Sequence, residues 1–235
     1  MEKDGFGWIS KLDRDGKILK SRWVEGLDAP TGMAAFGNTL YVADKGVLVE
    51  IDIPTAKIIR KIPLKGAEFV NDVAVAPNGD VYISDTFTDT IYRLPHNGEI
   101  EIFYTSKDLE YPNGLWVDGN YLIVATWGPM TNRATFETSR KGTLKKLNLK
   151  TKQLENVGTG APIANFDSVV KYGDYYYGSE WVGGKLLRID KKGRVKVILT
   201  GYSQFADFGI DQERGILMMP EMSTNRVFTL NISNK

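Results

Sequence analysis

Residues 70–85 read VNDVAVAPNGDVYISD, and this stretch decides the fold class. Apolar residues alternate with polar or small ones on both sides of an Asn-Gly pair. Asn-Gly is favoured in tight hairpin turns, because both residues tolerate the positive φ that such turns need. The alternation has the two-residue period of a strand, and Val, Ile and Tyr dominate it. The stretch therefore predicts two antiparallel strands joined by a tight turn.

Four other segments repeat this pattern: PTGMAAFGNTLYVAD from Pro30, PNGLWVDGNYLIVAT from Pro112, FDSVVKYGDYYYGSE from Phe166 and FADFGIDQERGILMMP from Phe205. Together with the stretch that begins at Val70, their starts are 40, 42, 54 and 39 residues apart. A third strand follows in every repeat (VLVEID, TIYRL, TLKKLNL, KLLRID, RVFTLNI), and a fourth follows in the first four (KIIRKI, EIEIFYT, QLENVG, VKVILT). Four antiparallel strands repeated at this period are typical of β-propeller blades. The sequence therefore predicts an all-β chain that forms a single β-propeller domain over residues 1–235.

The two ends of the chain break the repeat. Residues 7–24 resemble a third strand, a turn and a fourth strand, which is the outer hairpin of an incomplete blade, and the last repeat stops after its third strand. Five inner hairpins and six third strands favour a six-bladed ring, truncated so that its first inner strands would precede Met1. Exposed strand edges invite pairing. We expect residues 9–24 to pair with residues 226–232; the alternatives are an open ring or self-association through the exposed edges.

Composition limits the classes of partner and chemistry. With 30 basic and 29 acidic residues the net charge is +1, which predicts neither a nucleic-acid nor a membrane partner. The absence of cysteine excludes disulfides and thiolate chemistry, and the single histidine, His96, falls in an outer hairpin turn. The first residues do not resemble a signal peptide. The localisation is therefore open, and it would be periplasmic or secreted if a preceding segment carried such a signal.

Oxygen-bearing side chains recur where the first strand of each repeat begins. Because these starts lie nearest the axis of a propeller, we expect them to converge on one central mouth; in chain order they are Thr31, Asn71, Asn113, Asp167 and Ala206. Carboxylate and amide oxygens are the ligands that Ca²⁺ and Mg²⁺ prefer. The set therefore predicts a divalent-metal or ligand site, with Thr31 beside it for substrate. The alternative is structural, since Asn and Asp also bond to local backbone at strand starts.

A second polar set ends the second strands: Asp44, Asp85, Thr126, Glu180 and Glu221. We interpret Asp44 and Asp85 as braces of the turn into the third strand. Glu180 and Glu221 are candidate substrate-binding residues, because Trp181 and Met222 follow them and could form the wall of a pocket. For both, a purely structural role is the alternative.

The 54-residue spacing comes from an insertion, TWGPMTNRATFETSRKG, which spans residues 126–142 and is called the insertion loop below. It joins the second and third strands of one repeat, so it should emerge on the face of the central mouth. Loops of this length are often lids or binding loops. Its candidate contacts are Trp127, which is also a candidate substrate-binding residue, Met130, Arg133 and Phe136. The alternative is a disordered decoration.

The whole chain resembles the senescence-marker-protein/gluconolactonase family of six-bladed propellers, and its blades also look like NHL repeats. The resemblance is strongest in FVNDVAVAPNGDVYISDT, YPNGLWVDG and NFDSVV. It implies one central divalent metal, usually calcium, held by a Glu, two Asn and an Asp, with the Asp as base in lactone hydrolysis. The Asn motifs fall on Asn71 and Asn113 and the Asp motif on Asp167. The family's Glu belongs to a stretch that would precede Met1, and its Asp-Gly pair is here Asp167-Ser168.

Two functions follow from these residues. The first is a metal-dependent hydrolase of lactones or related esters, with Asp167 as ligand or general base. Without the family's glutamate, we expect the chain as given to turn over lactones weakly or not at all. The second is a non-catalytic propeller that binds a small molecule or a protein through the same face, since propellers serve both purposes.

Overall fold

The structure is a computed structural model that describes residues 3–233. Secondary structure in this range consists of short antiparallel strands and two single-turn 3₁₀-helices. The chain divides into two compact units, which meet between Ser106 and Lys107 and are described in turn.

The first unit contains a two-stranded hairpin followed by two four-stranded blades. The hairpin strands are β1 (Gly7–Leu12) and β2 (Ile18–Leu27). Blade 1 consists of β3 (Met33–Phe36), β4 (Thr39–Asp44), β5 (Val47–Asp52) and β6 (Lys57–Pro63). Blade 2 consists of β7 (Val70–Val75), β8 (Val81–Asp85), β9 (Thr90–Leu94) and β10 (Glu101–Thr105).

Apolar faces hold this unit together. Ile9 and Val24 are opposite each other in the hairpin, and both are buried against Val42, Val49 and Ile51 of blade 1. A second cluster fills the space between blades 1 and 2 with side chains of both. Because successive side chains of a strand point to opposite faces, blade 1 packs one face against the hairpin and the other against blade 2.

The second unit begins with the 3₁₀-helix η1 (Lys107–Leu109) and contains three blades. Blade 3 consists of β11 (Pro112–Asp118), β12 (Tyr121–Thr126), β15 (Leu144–Asn148) and β16 (Leu154–Asn156), and the insertion loop adds the two-stranded β13 (Met130–Asn132) and β14 (Glu137–Thr138). Blade 4 consists of β17 (Phe166–Tyr172), β18 (Tyr175–Glu180), β19 (Lys185–Asp190) and β20 (Val195–Leu199). Blade 5 consists of β21 (Gly209–Asp211), β22 (Ile216–Glu221) and β23 (Arg226–Asn231), with η2 (Met222–Thr224) before its last strand.

Aromatic and aliphatic side chains fill the spaces between these three blades. One cluster, which includes Leu144, Phe166 and Ile189, lies between blades 3 and 4. The other lies between blades 4 and 5, where Phe205 stacks on both Tyr202 and Phe228 with ring centroids 4.7 and 5.5 Å away. The strands that begin near Phe166 and Phe205 are thus fixed by aromatic residues at the start of each repeat.

The predicted all-β propeller architecture is confirmed, and the described residues form five inner hairpins, five blades and a separate N-terminal hairpin. The predicted pairing of residues 9–24 with residues 226–232 is wrong. Within residues 3–233, the sheet of β1 contains only β2, and β23 lies at the edge of a sheet with β21 and β22. The hairpin instead packs its Ile9–Val24 face against blade 1, as one blade stacks on the next. No helix in the described range is long and apolar enough to cross a membrane.

Candidate functional site

The three predicted metal ligands all lie in irregularities of strand pairing at the start of a first strand. In blade 2 the register passes from Val70↔Asp85 to Val73↔Ile83, which leaves Asn71 outside the regular ladder. Blade 3 shows the same irregularity between Pro112 and Leu115, around Asn113, and blade 4 shows it between Phe166 and Ser168, around Asp167. A bulge of this kind re-aims a side chain away from the regular alternation. The repeat therefore presents the same backbone device in three consecutive blades.

In the second unit the structure brings Asn113 and Asp167 together. The Asn113 amide nitrogen Nδ2 donates a hydrogen bond of 3.1 Å to Oδ1 of Asp167. Gly114 permits this approach, because a Cβ there would lie 2.6 Å from the Cα of Ser168. Asn113 is 3 % exposed, whereas Asp167 is half-buried. Two residues that are 54 positions apart in the sequence thus form one polar contact.

The pKa of the Asp167 carboxyl group is strongly raised. Burial, followed by the negative charge of Asp207, raises the pKa of Asp167 from 3.8 to about 7. The hydrogen bonds from Asn113 and from the backbone N–H of Asp207 act in the opposite direction but do not cancel the rise. Asp167 as a whole residue is still partly accessible to solvent. Its carboxyl group is closely surrounded by protein atoms, so burial is the largest cause of the raised pKa. At neutral pH this carboxyl exists in both protonation states.

Asp207 is a site residue that the sequence analysis missed. Ser168 donates a hydrogen bond of 2.5 Å from Oγ to Oδ1 of Asp207, and the same Oδ1 accepts the N–H of Phe208 at 2.9 Å. In this repeat Ala206, not Asp207, aligns with Asn71, so Asp207 was not predicted. The next position carries Asp72 in VNDV and Asp207 in FADF, and that second-position acid was the available signal. We call Asn113, Asp167, Ser168 and Asp207 the Asp167 cluster.

In the first unit, Thr31 and Asn71 bond to backbone and to a neighbouring hydroxyl. The Thr31 hydroxyl donates a hydrogen bond of 2.6 Å to the carbonyl oxygen of Asn71, which also accepts the N–H of Gly32 at 2.8 Å. The side chain of Asn71 donates from Nδ2 to Oγ1 of Thr86 at 3.0 Å. These bonds connect the first strands of blades 1 and 2. The metal role of Asn71 and the substrate role of Thr31 stay predictions.

The acidic residues that end the second strands of blades 1 and 2 hold backbone in place. Asp44 accepts the N–H groups of Asp28 at 2.9 Å and Ala29 at 2.6 Å, which lie just before β3. Asp85 accepts those of Glu68 at 2.9 Å and Phe69 at 2.8 Å, just before β7. The predicted brace of the turn into the third strand is confirmed for Asp85 by its bond with Thr88, whereas Asp44 mainly holds the segment before the first strand. They fix the segment that leads into the first strand of their own blade, and Asp85 also braces the following turn through Thr88 at 2.8 Å.

Glu221, at the same repeat position in blade 5, also forms internal bonds. Hydrogen bonds from the Thr224 hydroxyl at 2.6 Å, from Arg226 at 2.7 Å and from the backbone N–H of Ser203 at 3.0 Å lower the pKa of Glu221 to about 2. A carboxylate with these partners is held fully charged at neutral pH. Its predicted contact with substrate stays a prediction.

Glu180, at the same position in blade 4, is 2 % exposed and pairs with two lysines. One is Lys185 of the same blade, at 3.3 Å, and the other is Lys141 of the insertion loop. The neighbouring Trp181 is half-buried. Its ring lies 5.9 Å from that of Trp127, between centroids.

The insertion loop is an ordered part of the unit, and its strands β13 and β14 form a small hairpin. Trp127 is 4 % exposed, donates from its indole nitrogen to the carbonyl of Phe136 at 2.9 Å, and packs edge-on against the ring of Phe136. The Asn165 side chain also donates to the carbonyl of Trp127 at 2.7 Å. Trp127 thus anchors the loop, while its contact with substrate and the role of the loop as a lid stay predictions.

Within residues 3–233, no three His, Asp or Glu side chains converge in a geometry suited to a metal ion. The predicted set is of another kind, because it combines one carboxylate with two amides. The Asp167 cluster adds the carboxylate of Asp207, whose charge acts on Asp167. Two carboxylates at close range repel each other, so a bound cation would relieve their repulsion. The oxygen donors of the cluster therefore fit a hard divalent cation in chemical type.

Comparison with known proteins supports the β-propeller fold. No family model matches the chain, and no curated protein matches it. Among solved structures, a streptogramin B lyase is similar with a TM-score of 0.61 and 12% identity, over 88% of this chain and 70% of that one. The chain has a β-propeller fold. A chain of the nidogen–laminin complex is similar with a TM-score of 0.67 and 11% identity, over 94% of this propeller and 88% of that chain.

A third similar structure is a catalytically inactive histidine-to-alanine variant of virginiamycin B lyase from Staphylococcus aureus, solved with quinupristin. Its TM-score is 0.59 and its identity 15%, over 97% of this propeller and 85% of that chain. Identities this low establish the shared fold alone. The resemblance to the gluconolactonase family stays an expectation from the sequence motifs.

Proposed function

We propose that this propeller is a hydrolase-like enzyme that acts on lactones or related esters, with Asp167 as its general base. The observation that carries the proposal is the pKa of Asp167, which burial and the charge of Asp207 raise to about 7. A catalytic base works best when its pKa lies near the working pH, because it must both accept and return a proton. Perturbed carboxyl groups of this kind are concentrated at functional sites.

The proposed reaction assigns one task to each side chain of the Asp167 cluster. Asp167 accepts a proton from the water molecule that attacks the ester carbonyl, and returns that proton to the departing alkoxide oxygen. The ring C–O bond breaks, and the products of a lactone are the carboxyl and hydroxyl groups of one hydroxy acid. Asn113 fixes one oxygen of Asp167 by its hydrogen bond of 3.1 Å. Ser168 fixes Asp207, whose charge keeps the base weakly acidic.

A divalent cation, calcium in the family that the chain resembles, fits the oxygen donors of Asn113, Asp167 and Asp207. When bound, such an ion supplies a Lewis acid that polarises the ester carbonyl. Asn71 remains a predicted further ligand on sequence grounds. The amide of Asn113 would have to turn its oxygen toward the ion, since its nitrogen now faces Asp167.

The position of the single histidine also favours a carboxylate over a histidine as the general base. His96 lies in the turn after β9, where its backbone N–H bonds to Asp80 at 2.9 Å and its ring packs edge-on against Phe36. Its ring thus contacts the turn region of blade 1. We therefore assign proton transfer to Asp167.

The test measures hydrolysis of a panel of γ- and δ-lactones and aryl esters, with a pH indicator to detect the acid that is released. Each substrate is assayed with Ca²⁺, Mg²⁺ or Mn²⁺, and again with a chelator. We expect turnover that the chelator removes and that Asp167→Asn lowers by at least a hundredfold, within the range of general-base catalysis. Asp174→Asn is the matched control, because Asp174 is 84% exposed and pairs only with Lys191 in the described contacts. Turnover that survives in Asp167→Asn would contradict the proposal.

A second candidate function is binding without catalysis, through contacts with a second copy of the chain. The observation that favours it is the N-terminal hairpin region, which exposes four large apolar side chains: Phe6 (77%), Trp8 (45%), Ile18 (63%) and Leu19 (57%). Large exposed apolar side chains on a strand edge can take part in contacts with another chain. Light scattering after gel filtration tests it. A dimer that Ile18→Lys and Leu19→Lys together convert to a monomer supports this function, and a monomer at every concentration contradicts it.

A further inference from the structure

Blades 2 and 3 each contain the same type of backbone hydrogen bond at the start of their first strand. The residue after the second strand donates its N–H to the carbonyl just before the first strand. In blade 2 this bond runs from Thr86 to Phe69, and in blade 3 from Trp127 to Tyr111, both at 2.9 Å. The segment that leads into the first strand is therefore fastened to its own blade in the same way in both.

The two blades differ in the side chain that supports this contact. In blade 2, Asp85 accepts the N–H groups of Glu68 and Phe69. Blade 3 carries Thr126 at that position, and the Thr126 hydroxyl accepts the N–H of Thr143 instead. The carboxylate that fastens the segment in blade 2 is thus absent from the equivalent position of blade 3.

In blade 3 the segment itself carries the acid, and the insertion loop supplies the cation. The Glu110 carboxylate pairs with the Arg140 guanidinium through both of its oxygens, and Lys145 approaches it at 3.4 Å. Glu110 and Tyr111 also have positive φ values of 56° and 61°. Left-handed backbone costs a non-glycine residue roughly 1–2 kcal/mol. The Arg140–Glu110 pair therefore helps to hold two unfavourable backbone positions directly before β11, the strand that carries Asn113.

The next residue of the loop holds the neighbouring blade. Lys141 pairs with Glu180 at the end of β18, and Glu180 is the register partner of Phe166, which precedes Asp167. The loop is tightly packed at this point, because a Cβ on Gly128 would lie 2.5 Å from the Arg140 carbonyl oxygen. Two consecutive cations on a tightly packed segment thus bond to the two blades whose first strands carry Asn113 and Asp167.

We propose that Arg140 and Lys141 are positioning residues that set Asn113 against Asp167. Arg140 fixes the entry into β11, Lys141 fixes the end of β18 beside the start of β17, and the Asn113–Asp167 hydrogen bond of 3.1 Å lies between these two points. Hydrogen bonds weaken steeply when distance and angle deteriorate. The insertion loop thereby controls the geometry of the cluster through two ion pairs. The effect on turnover rests on the proposed function, whereas the effect on the Asn113–Asp167 bond does not.

The experiment follows the side-chain amide of Asn113 by ¹⁵N NMR, with the signal assigned by its loss in Asn113→Ser. We expect Arg140→Gln and Lys141→Gln each to move this signal toward the position of an exposed asparagine. Arg140→Lys keeps the positive charge, so its signal should stay closer to the wild-type position. Arg194→Gln is the matched control, because Arg194 is a surface arginine of the same unit in an ion pair with Asp190. In the lactone assay, kcat should fall roughly tenfold to a hundredfold in the two Gln variants, with KM within about twofold.

An Asn113 signal that stays in place in folded Arg140→Gln and Lys141→Gln overturns the inference. Thermal melting shows whether the variants fold; if Arg140→Gln does not, Lys141→Gln and Arg140→Lys decide by the same signal. If the wild type turns over no lactone or ester, the proposed function fails while the NMR signal still decides the positioning role. If turnover falls in Arg194→Gln as much as in Arg140→Gln, the ion pair has no special role and the inference is also wrong.

Discussion

Blade 2 and blade 3 carry the same polar motif at the start of their first strands, yet they hold it differently. Blade 2 uses its own second strand, because Asp85 binds the backbone before Asn71. Blade 3 uses a distant part of its chain, because Arg140 of the insertion loop binds Glu110 before Asn113. The bonds of Asp85 join two parts of the same blade, so their effect is to stabilise that blade. The second connects the start of β11 to the insertion loop, which blade 2 lacks.

The largest expected effect comes from closing the space that lets blade 3 approach blade 4. Blade 2 has Asp72 at the position where blade 3 has Gly114. A Cβ on Gly114 would lie 2.6 Å from the Cα of Ser168 and 2.8 Å from the backbone nitrogen of Val169, so backbone would have to move. We expect Gly114→Ala to lower the free energy of unfolding by roughly 2–4 kcal/mol, measured by urea unfolding.

Gly119→Ala in the same blade is the control for this prediction. Gly119 has a φ of +59° with nothing within 4 Å of a Cβ, so only backbone strain of about 1–2 kcal/mol applies. Equal losses in the two variants would mean that close packing at Gly114 is not what brings the two strands together.

The next effect tests the local brace of blade 2. Asp85→Ala removes the acceptor of two backbone N–H groups and of the Thr88 hydroxyl, so we expect a loss of about 2–3 kcal/mol in the free energy of unfolding. Thr126→Ala, at the equivalent position of blade 3, removes the acceptor of one N–H and should cost about 1 kcal/mol. Thermal and urea unfolding measure both. A Thr126→Ala loss as large as that of Asp85→Ala would remove the difference between the two blades.

A third prediction separates function from stability in blade 4. The pKa of Asp167 is about 7 in the folded chain and about 3.9 in an unfolded chain, so the carboxyl loses its proton less readily after folding. The charged form therefore lowers stability progressively between about pH 4 and 7, and fully above pH 7. We expect Asp167→Asn to raise the free energy of unfolding by roughly 1–3 kcal/mol at pH 8 and to leave it unchanged near pH 4. Unfolding curves at the two pH values check this, and Asp174→Asn should show neither change.

The smallest effect concerns Glu221, which repeats the role of Asp85 in blade 5. Its pKa is lowered to about 2 in the folded chain, from about 4.3 in an unfolded chain. Its contribution to stability is therefore present above about pH 4.3 and is lost as the pH falls toward 2. We expect Glu221→Gln to melt slightly below the wild type at pH 7, and the difference to disappear near pH 2. A difference that persists at pH 2 would mean that shape rather than charge at this position matters.

Much of the fold could be predicted because each blade repeats a pattern that depends on neighbours in sequence. The alternation in VNDVAVAPNGDVYISD, and the turn residues within it, fix a hairpin without reference to the rest of the chain. The pairing of the N-terminal hairpin with β23 was predicted wrongly, because exposed edges show only that a strand can pair. In the structure its Ile9–Val24 face packs against Val42, Val49 and Ile51 of blade 1.

The candidate site divides in the same way. The all-β repeat and the strand-start position of Asn71, Asn113 and Asp167 could be read from the sequence alone, because the period of the repeat places equivalent residues at equivalent points of each blade. The negative charge of Asp207 beside Asp167, and the ion pairs of Arg140 with Glu110 and of Lys141 with Glu180, appear only in the folded chain. Electrostatic and packing interactions depend on distance in space, and residues 30 to 54 positions apart acquire that distance only when the blades pack.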